Sequence, residues 1–339
     1  MSLHRIVDLQ RHTRRELIRL GVGMSAAAMS ARTWAAADSE SDLDGAGMPY
    51  HSFDGMPFDA VDVAAARIRV AFGPGAFELP RERIIDYVAQ SARSVAGYFG
   101  RFPAPSTRLL ILNTTAPGRA VRSGTTFGYG GAAIRLTLAA GVTAADLDRD
   151  WILVHEMTHI ALPSLPRKQH WFEEGMATYV EPLARAQAGR LGIEGVWADM
   201  IRGMPEGLPR PGDRGLDGTP TWGRTYWGGA MFCLLSDVEI REATAGQRGL
   251  QHALRAILDH ANIEQNSTIE PLLQIGDRAT GSTVLTSLYE RMKGSPYPVD
   301  LNAVWRRLGV SLVDARRVEF DDTAPLAAIR KALTAAIKA

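Results

Sequence analysis

The amino-acid sequence predicts an α+β protein, in which a small α/β layer over residues 65–142 is followed by a mainly helical half. Two observations support this fold class. Apolar residues occur in short strand-like runs before Gly141, and they recur at helical spacing after it. With 339 residues, a hydrophobic fraction of 46% and a charged fraction of 22%, the chain has ample apolar material for a core.

Residues 1–37 predict an export signal. Arg14 and Arg15 precede a weakly apolar stretch over residues 20–31, and small residues at 35–37 suit cleavage before Asp38. The paired arginines indicate the twin-arginine route, and hence a periplasmic or secreted protein. An amphipathic first helix and a membrane anchor are the alternatives. The apolar stretch is shorter than the roughly 20 residues that span a bilayer, so no stable membrane insertion is expected after cleavage.

Charge and cysteine content exclude several partners and sites. Six arginines against two acids give residues 1–37 a net charge of +4, so their removal takes the formal charge from +1 to −3. No basic stripe remains, which argues against nucleic acid as a partner. Cys233 is the only cysteine, which excludes an intramolecular disulfide and a thiolate cluster. A metal site must therefore use histidines and carboxylates.

Turn-forming residues and hydrophobic patterns predict the elements of the first half. Residues 38–64 are rich in Gly, Asp and Ser and predict a linker. Alternation predicts a strand over 66–72, and amphipathic spacing predicts a helix over 80–99. An apolar run predicts a strand over 107–113. A further strand over 127–138, with glycines at its start, is predicted to form the sheet edge that pairs with an extended substrate.

Helical spacing dominates after Gly141. Thr143 is the predicted N-cap of a helix over 143–162, and a second helix follows over 170–189. Residues 203–220 are rich in Gly and Pro and predict an irregular loop. The segments 143–262 and 263–339 are therefore both predicted to be helical. The remaining predicted helices cover residues 224–242, 246–261, 280–292, 299–307 and the chain from 324 onward.

A metal-binding pattern lies in the first of these helices. His155-Glu156-Met157-Thr158-His159 places two imidazoles one turn apart, where both can reach one ion. Glu156 points roughly 100° away around the axis, so its carboxylate lies beside the ion and can accept a proton from water. A catalytic zinc needs a third protein ligand and one open position.

The third ligand is expected from the next helix. The segment Trp171-Phe172-Glu173-Glu174-Gly175 begins that helix, and fourteen residues separate His159 from Glu174. This spacing suffices for two antiparallel helices joined by a loop, so that an acid at the start of the second helix faces both histidines. Glu173 and Glu174 compete for this role, because both are carboxylates at the start of the same helix. The acid that does not bind metal would suit the helix N-terminus.

The two segments together resemble the HExxH and W-x-x-E-G-x-A-x-Y pair of gluzincin metallopeptidases. The nearest families are the peptidase MA-like proteins, aminopeptidase N and glycyl aminopeptidase. The resemblance covers about residues 65–262 and implies a thermolysin-like zincin domain with one Zn²⁺. It assigns the metal ligands to His155, His159 and Glu174, the acid directly before the glycine, and the general base to Glu156.

A third match concerns Tyr226, which opens a segment similar to the Y-x-K-G-A helix start of these families. The resemblance implies that Tyr226 hydrogen-bonds the oxyanion, although Gly228 replaces the lysine. The alternative is an aromatic packing residue. The aminopeptidases carry an acid for the substrate amine before HExxH, whereas residues 130–136 contain none. A zinc-dependent peptidase acting on peptides or proteins is therefore expected, and not an aminopeptidase. The alternatives are an inactive binding protein with this fold and a zinc amidase acting on cell-wall peptides.

Overall fold

A mixed five-stranded sheet forms the first layer of the computed structural model, which describes residues 45–314 and 317–336. The strand order is β1-β2-β3-β5-β4, with β2, β3 and β5 parallel and the two outer strands antiparallel to their neighbours. The strands are β1 (Phe58–Val63), β2 (Ala66–Phe72), β3 (Ser106–Thr114), β4 (Val121–Phe127) and β5 (Ala133–Ala139).

The helix predicted over 80–99 is confirmed as α2 (Arg81–Phe99), which follows a short helix α1 (Tyr50–Asp54). Its buried face includes Ile84, Val88 and Val95, and it ends at Gly100 in the left-handed conformation, with φ of 80°. It contacts β1 and the two helices that carry the HExxH and Trp/Glu/Gly segments. The helix therefore links the sheet to the functional half.

The linker predicted over 38–64 is wrong for its described part. Residues 38–44 lie outside the described residues, as does the predicted signal segment 1–37. From Ala46 onward the described chain belongs to one compact unit, and α1 and β1 occupy most of the supposed linker. Phe53 anchors α1 in the core, and Asp54 pairs with Arg69 and Arg108 of the sheet. These contacts are between distant segments and leave no local sequence signal.

The strand predicted over 127–138 is confirmed from Ala133 onward as β5, but the residues before it form a turn that contains Gly130 and Gly131. The preceding strand, β4, is antiparallel to β5 and was not predicted. Gly131 has φ of 94°, which glycine adopts without strain. Because β5 lies between β3 and β4, the edge of the sheet is β4 and not the predicted strand. Polar and partly exposed residues fill β4, so its hydrophobic pattern is weak.

Two helices replace the one predicted over 143–162. Thr143 is the N-cap of α3 (Ala144–Asp148), where it forms a capping box with Asp146, as predicted. The chain then breaks before α4 (Ile152–His159). Asp150 is buried at this break, where its Oδ2 accepts hydrogen bonds from the Leu153 amide and the Tyr87 hydroxyl. This local carboxylate cap starts a new helix just ahead of the histidines.

Most of the remaining predicted helices are confirmed, with ends displaced by a few residues. The helices over Ile193–Gly203 and Ile269–Thr280 and a C-terminal hairpin of β6 (Val310–Leu312) and β7 (Val318–Phe320) were not predicted, and short helical turns interrupt the loop over 203–220. Over the described ranges, every helix falls short of the length and hydrophobicity needed to cross a bilayer. The helices are α5 (His170–Gln187), α6 (Ile193–Gly203), α7 (Gly215–Gly218), α8 (Gly229–Ala243), α9 (Leu250–His260), α10 (Ile269–Thr280), α11 (Val284–Met292), α12 (Leu301–Leu308) and α13 (Ala327–Thr334).

Candidate metal centre

Three side chains that the sequence predicts as ligands meet between α4 and α5. The Nε2 atoms of His155 and His159 are 3.2 Å apart. The Oε2 atom of Glu174 is 3.4 Å from Nε2 of His155 and 3.7 Å from Nε2 of His159. Within residues 45–314 and 317–336, this is the one group of three His, Cys, Asp or Glu side chains whose donor atoms converge in this way.

The geometry of this group fits a tetrahedral zinc ion. Zinc bonds nitrogen and oxygen ligands at about 2.0–2.1 Å, which places neighbouring ligand atoms of a tetrahedron about 3.3 Å apart. The three measured separations of 3.2, 3.4 and 3.7 Å lie around that edge length. Two imidazole nitrogens and one carboxylate oxygen are also a donor set of catalytic zinc sites, which keep a fourth position open.

The protonation of two of these side chains already suits metal binding. Burial lowers the pKa of His159 to about 3, so its ring is neutral at pH 7 and offers a lone pair. Burial alone would raise the pKa of Glu174, but hydrogen bonds with His155 and His170 hold that pKa well below its ordinary value. Glu174 is therefore an anion. A neutral imidazole and a carboxylate are the forms that ligate zinc.

The side chain of Glu156, on α4, faces the edge strand β4. The Oγ1 atom of Thr126 on β4 donates a hydrogen bond of 2.8 Å to Oε2 of Glu156, and it is also 2.8 Å from the Glu156 backbone carbonyl. Gly124, two residues earlier, faces the same side chain without a Cβ. Burial raises the pKa of Glu156 to about 7, against the lowering effects of His155 and Thr126. A carboxylate so tuned can both accept and return a proton near neutral pH.

The competition between the two neighbouring acids is resolved by geometry. Glu174 faces the histidines, whereas Oε2 of Glu173 is 2.7 Å from Nδ1 of His170 and Oε1 accepts the backbone N–H of Leu165 at 2.9 Å. The Nε2 atom of His170 is in turn 3.1 Å from Oε1 of Glu174. Burial opposes a charged ring, but the two carboxylates outweigh it and raise the pKa of His170 to about 9.

Sequence reasoning assigned no function to His170. The available signal was its spacing, because residues three and four apart on a helix share a face. His170 precedes Glu173 by three residues and Glu174 by four, so one ring reaches both carboxylates.

The predicted oxyanion residue, Tyr226, lies beside His155, one of the predicted metal ligands. Its ring is nearly parallel to that of His155, with centroids 6.5 Å apart and an interplanar angle of 18°. It belongs to a π-helical turn, Arg224–Gly228, that leads into α8. Arg224 is buried in this turn and pairs with Asp213 at 2.8 Å, which anchors it to the preceding loop. Single π-helical turns of this kind are frequent at functional sites.

Close packing explains the glycine that follows Glu174. A Cβ atom on Gly175 would lie 2.3 Å from the Cα atom of Gly229. A Cβ atom on Gly229 would lie 2.2 Å from the carbonyl oxygen of Trp171. Helices α5 and α8 therefore meet backbone to backbone, directly beside Glu174. Any side chain at this contact would push the two helices apart.

Two buried ion pairs lie on α5 and α8. Glu181 and Arg185, one turn apart on α5, form an ion pair of 2.8 Å in which both side chains are buried. On α8, Asp237 and Arg241 form a second buried pair of 2.8 Å. The hydroxyl of Tyr179 donates a hydrogen bond to Asp237 and so connects α5 to α8.

Comparison with known proteins identifies the fold. No family model matches the chain, and no curated protein matches it. Among solved structures, an aminopeptidase N family protein from Idiomarina loihiensis matches with a TM-score of 0.57 and 13% identity, over 75% of this chain and 49% of that one. An M1 zinc metallopeptidase from Deinococcus radiodurans matches with a TM-score of 0.46 and 17% identity, over 72% of this chain and 51% of that one.

This chain thus spans about half the length of the solved structures that it matches. The first match shows that the described chain has the fold of an aminopeptidase N family structure. The relationship that the sequence motifs predict is therefore confirmed at the level of the fold.

Proposed function

With the fold of an aminopeptidase N family structure as the premise, we propose that this chain is an exported zinc-dependent metallopeptidase. One zinc ion would be held by His155, His159 and Glu174. The observation that carries the proposal is the triangle of donor atoms, whose sides of 3.2, 3.4 and 3.7 Å suit three corners of a zinc tetrahedron.

The residues around the triangle suit peptide-bond hydrolysis. When bound, zinc lowers the pKa of its water towards 7 and polarises the scissile carbonyl. Glu156, oriented by the Thr126 hydroxyl, would accept the proton of the attacking water and return it to the leaving amine. Tyr226, whose ring lies alongside His155, would donate a hydrogen bond to the developing oxyanion.

The edge strand supports an extended peptide as substrate. Strand β4 ends the sheet order, and its residues Gly124 and Thr126 face the general base. An extended peptide that paired with β4 would pass beside Glu156. The seven residues of β4, Val-Arg-Ser-Gly-Thr-Thr-Phe, include no acid to hold a free amine. This composition favours cleavage away from a free amino terminus.

Elemental analysis and one isosteric variant test the proposal. The purified protein should contain one zinc per chain, and Glu156→Gln should keep that zinc while losing hydrolysis of a fluorogenic peptide library. Glu82→Gln, at an exposed position on α2, is the matched control and should behave as the wild type. Full activity of Glu156→Gln would refute the mechanism. One zinc with no hydrolysis would indicate a binding protein, and cleavage of peptidoglycan alone would indicate a cell-wall amidase.

Export is the remaining part of the proposal, and it is supported by the amino-terminal sequence. Arg14-Arg15, the apolar stretch and the small residues at 35–37 have the order of a twin-arginine signal. Replacing both arginines with lysine should retain the precursor in the cytoplasm of the expressing cell, while the unaltered chain is recovered outside it and begins near Asp38. Equal export of both forms would contradict this route.

A further inference from the structure

We propose that His170 and Glu173 act as a positioning pair, which orients Glu174 so that a single oxygen faces the metal. The inference rests on the proposed zinc site. The first supporting observation is that the two carboxylate oxygens of Glu174 contact different residues. Oε1 is 3.1 Å from Nε2 of His170, whereas Oε2 is the atom that faces His155 and His159.

The second observation is that His170 is itself held in place. Its Nδ1 atom is 2.7 Å from Oε2 of Glu173, and Oε1 of Glu173 accepts the backbone N–H of Leu165 at 2.9 Å. A continuous series of polar contacts thus runs from the backbone of the interhelical loop to Glu174: Glu173 is hydrogen-bonded to the loop and to His170, and His170 forms an ion pair with Glu174. The loop between α4 and α5 therefore fixes the orientation of the third ligand.

The burial of Glu173 and Glu174 strengthens these contacts. The side chains of Glu173 and Glu174 are only 15% and 12% exposed, so water screens their hydrogen bonds weakly. The His170 side chain is 37% exposed and is therefore the most solvent-accessible of the three. If its ring were removed, Oε1 of Glu174 would lose this partner and be free to rotate towards the metal. A carboxylate that offered both oxygens would take one more coordination position than one that offers a single oxygen, in addition to the position that a catalytic zinc keeps open.

A competing explanation is that the pair only stabilises the first turn of α5. Side-chain pairs three or four residues apart contribute about 0.2–0.5 kcal/mol to an isolated helix. Such a role would change thermal stability and leave metal affinity alone. Hydrogen-bond partners of metal ligands, in contrast, typically change metal affinity by about 10- to 100-fold when they are removed. The two explanations therefore separate in a metal titration.

The experiment uses the chain without its signal segment and His170→Ala, His170→Gln and Glu173→Gln. Zinc affinity is measured by competition with a chromophoric chelator, independently of activity. We expect His170→Ala to bind zinc about 10- to 100-fold more weakly. His170→Gln, which retains a donor, should recover part of the loss. His260→Ala is the matched control, because His260 bonds a carbonyl of its own helix, at the end of α9.

Cobalt substitution gives a second readout that a structural role would not move. A four-coordinate Co²⁺ site absorbs visible light more strongly than a five-coordinate one, so bidentate binding by Glu174 would weaken the band in His170→Ala. Melting of the metal-free protein is measured in parallel. Should His170→Ala fail to fold, Glu173→Gln, which is expected to weaken zinc binding several-fold, decides the question with His170→Gln.

The outcomes separate this inference from the proposed function. A wild-type chain that binds no zinc would refute the zinc site itself. Wild-type zinc binding with unchanged affinity and cobalt spectrum in the His170 and Glu173 variants would overturn only the positioning pair. A lower melting temperature of the metal-free variants with unchanged zinc affinity would assign the pair to helix stability and would also overturn it.

Discussion

Gly124 lies at a point where a single methyl group would displace the proposed general base. A Cβ atom at this position would be 2.5 Å from Cγ and 3.0 Å from Cδ of Glu156, whereas ordinary contacts begin at 3.4 Å. Gly124→Ala would therefore have to move the Glu156 side chain by about 0.9 Å, the difference between 2.5 and 3.4 Å. Ile152, 3.0 Å from the same Cβ position, limits the directions in which the strain can be relieved.

A displacement of this size is large for a catalytic group. Misplacing a reacting group by about 1 Å can reduce a rate about 100-fold. The shift would also stretch the 2.8 Å hydrogen bond from Thr126 that orients the carboxylate. We therefore expect Gly124→Ala to lower kcat about 100-fold. Zinc content should stay at one per chain, because the atoms nearest to the added Cβ belong to Glu156 and Ile152 and not to the three predicted ligands.

The assay is hydrolysis of the fastest peptide found for the wild type, with zinc content and thermal melting measured on the same preparations. Gly294→Ala is the matched control, because its Cβ would lie in open space. It should keep wild-type kcat. If Gly124→Ala were folded, zinc-loaded and fully active, then the contact between β4 and Glu156 would have no bearing on catalysis, and the assignment of Glu156 as the base would lose its main structural support.

Three further outcomes are expected. Gly175→Ala forces a Cβ to within 2.3 Å of Gly229, so overpacking should lower the free energy of unfolding by about 1–3 kcal/mol. This loss is measured by urea unfolding against Gly294→Ala, and equal stability would refute the tight helix contact. Tyr226→Phe should lower kcat about 100-fold or more with zinc content unchanged, and unchanged kcat would make Tyr226 a packing residue. Removing zinc with a chelator should abolish activity and lower stability by about 4 kcal/mol, relative to free zinc at 1,000 times its dissociation constant. Identical melting curves would contradict metal binding by the fold.

The part of the site that the sequence predicts depends on local geometry alone. His155 and His159 are four residues apart on one helix, so any helix over this segment brings their rings together. The choice between Glu173 and Glu174 did not follow from the residues, because both lie in the same helical turn. The rotation of α5 decides it, and that rotation is set by contacts such as Gly175 against Gly229. The resemblance to gluzincins implies Glu174, the acid that lies beside the two histidines in the structure, without supplying this reason.

The sheet edge shows where sequence reasoning failed. Strand β5 is apolar and central, so it gives a strong signal, and Leu136 and Leu138 are fully buried in it. Strand β4 gives a weak signal, because one face of an edge strand meets solvent and five of its seven residues are polar or glycine. The predicted edge was therefore placed on the more hydrophobic strand. Pairing order is a long-range property, which the periodicity of one strand does not contain.

The glycines of the site connect its two halves. Because Gly175 and Gly229 allow α5 and α8 to touch through their backbones, Glu174 and the turn that ends at Gly228 approach the same point from different helices. Tyr226 lies in that turn, three residues before Gly229, and its ring consequently lies alongside His155. The lysine of the family pattern is Gly228 here, and a Cβ at this position would meet Leu216 at 3.1 Å. The loop over residues 203–220 thus packs where the lysine side chain would begin, and Leu216 would have to shift by a few tenths of an ångström to admit a Cβ atom there.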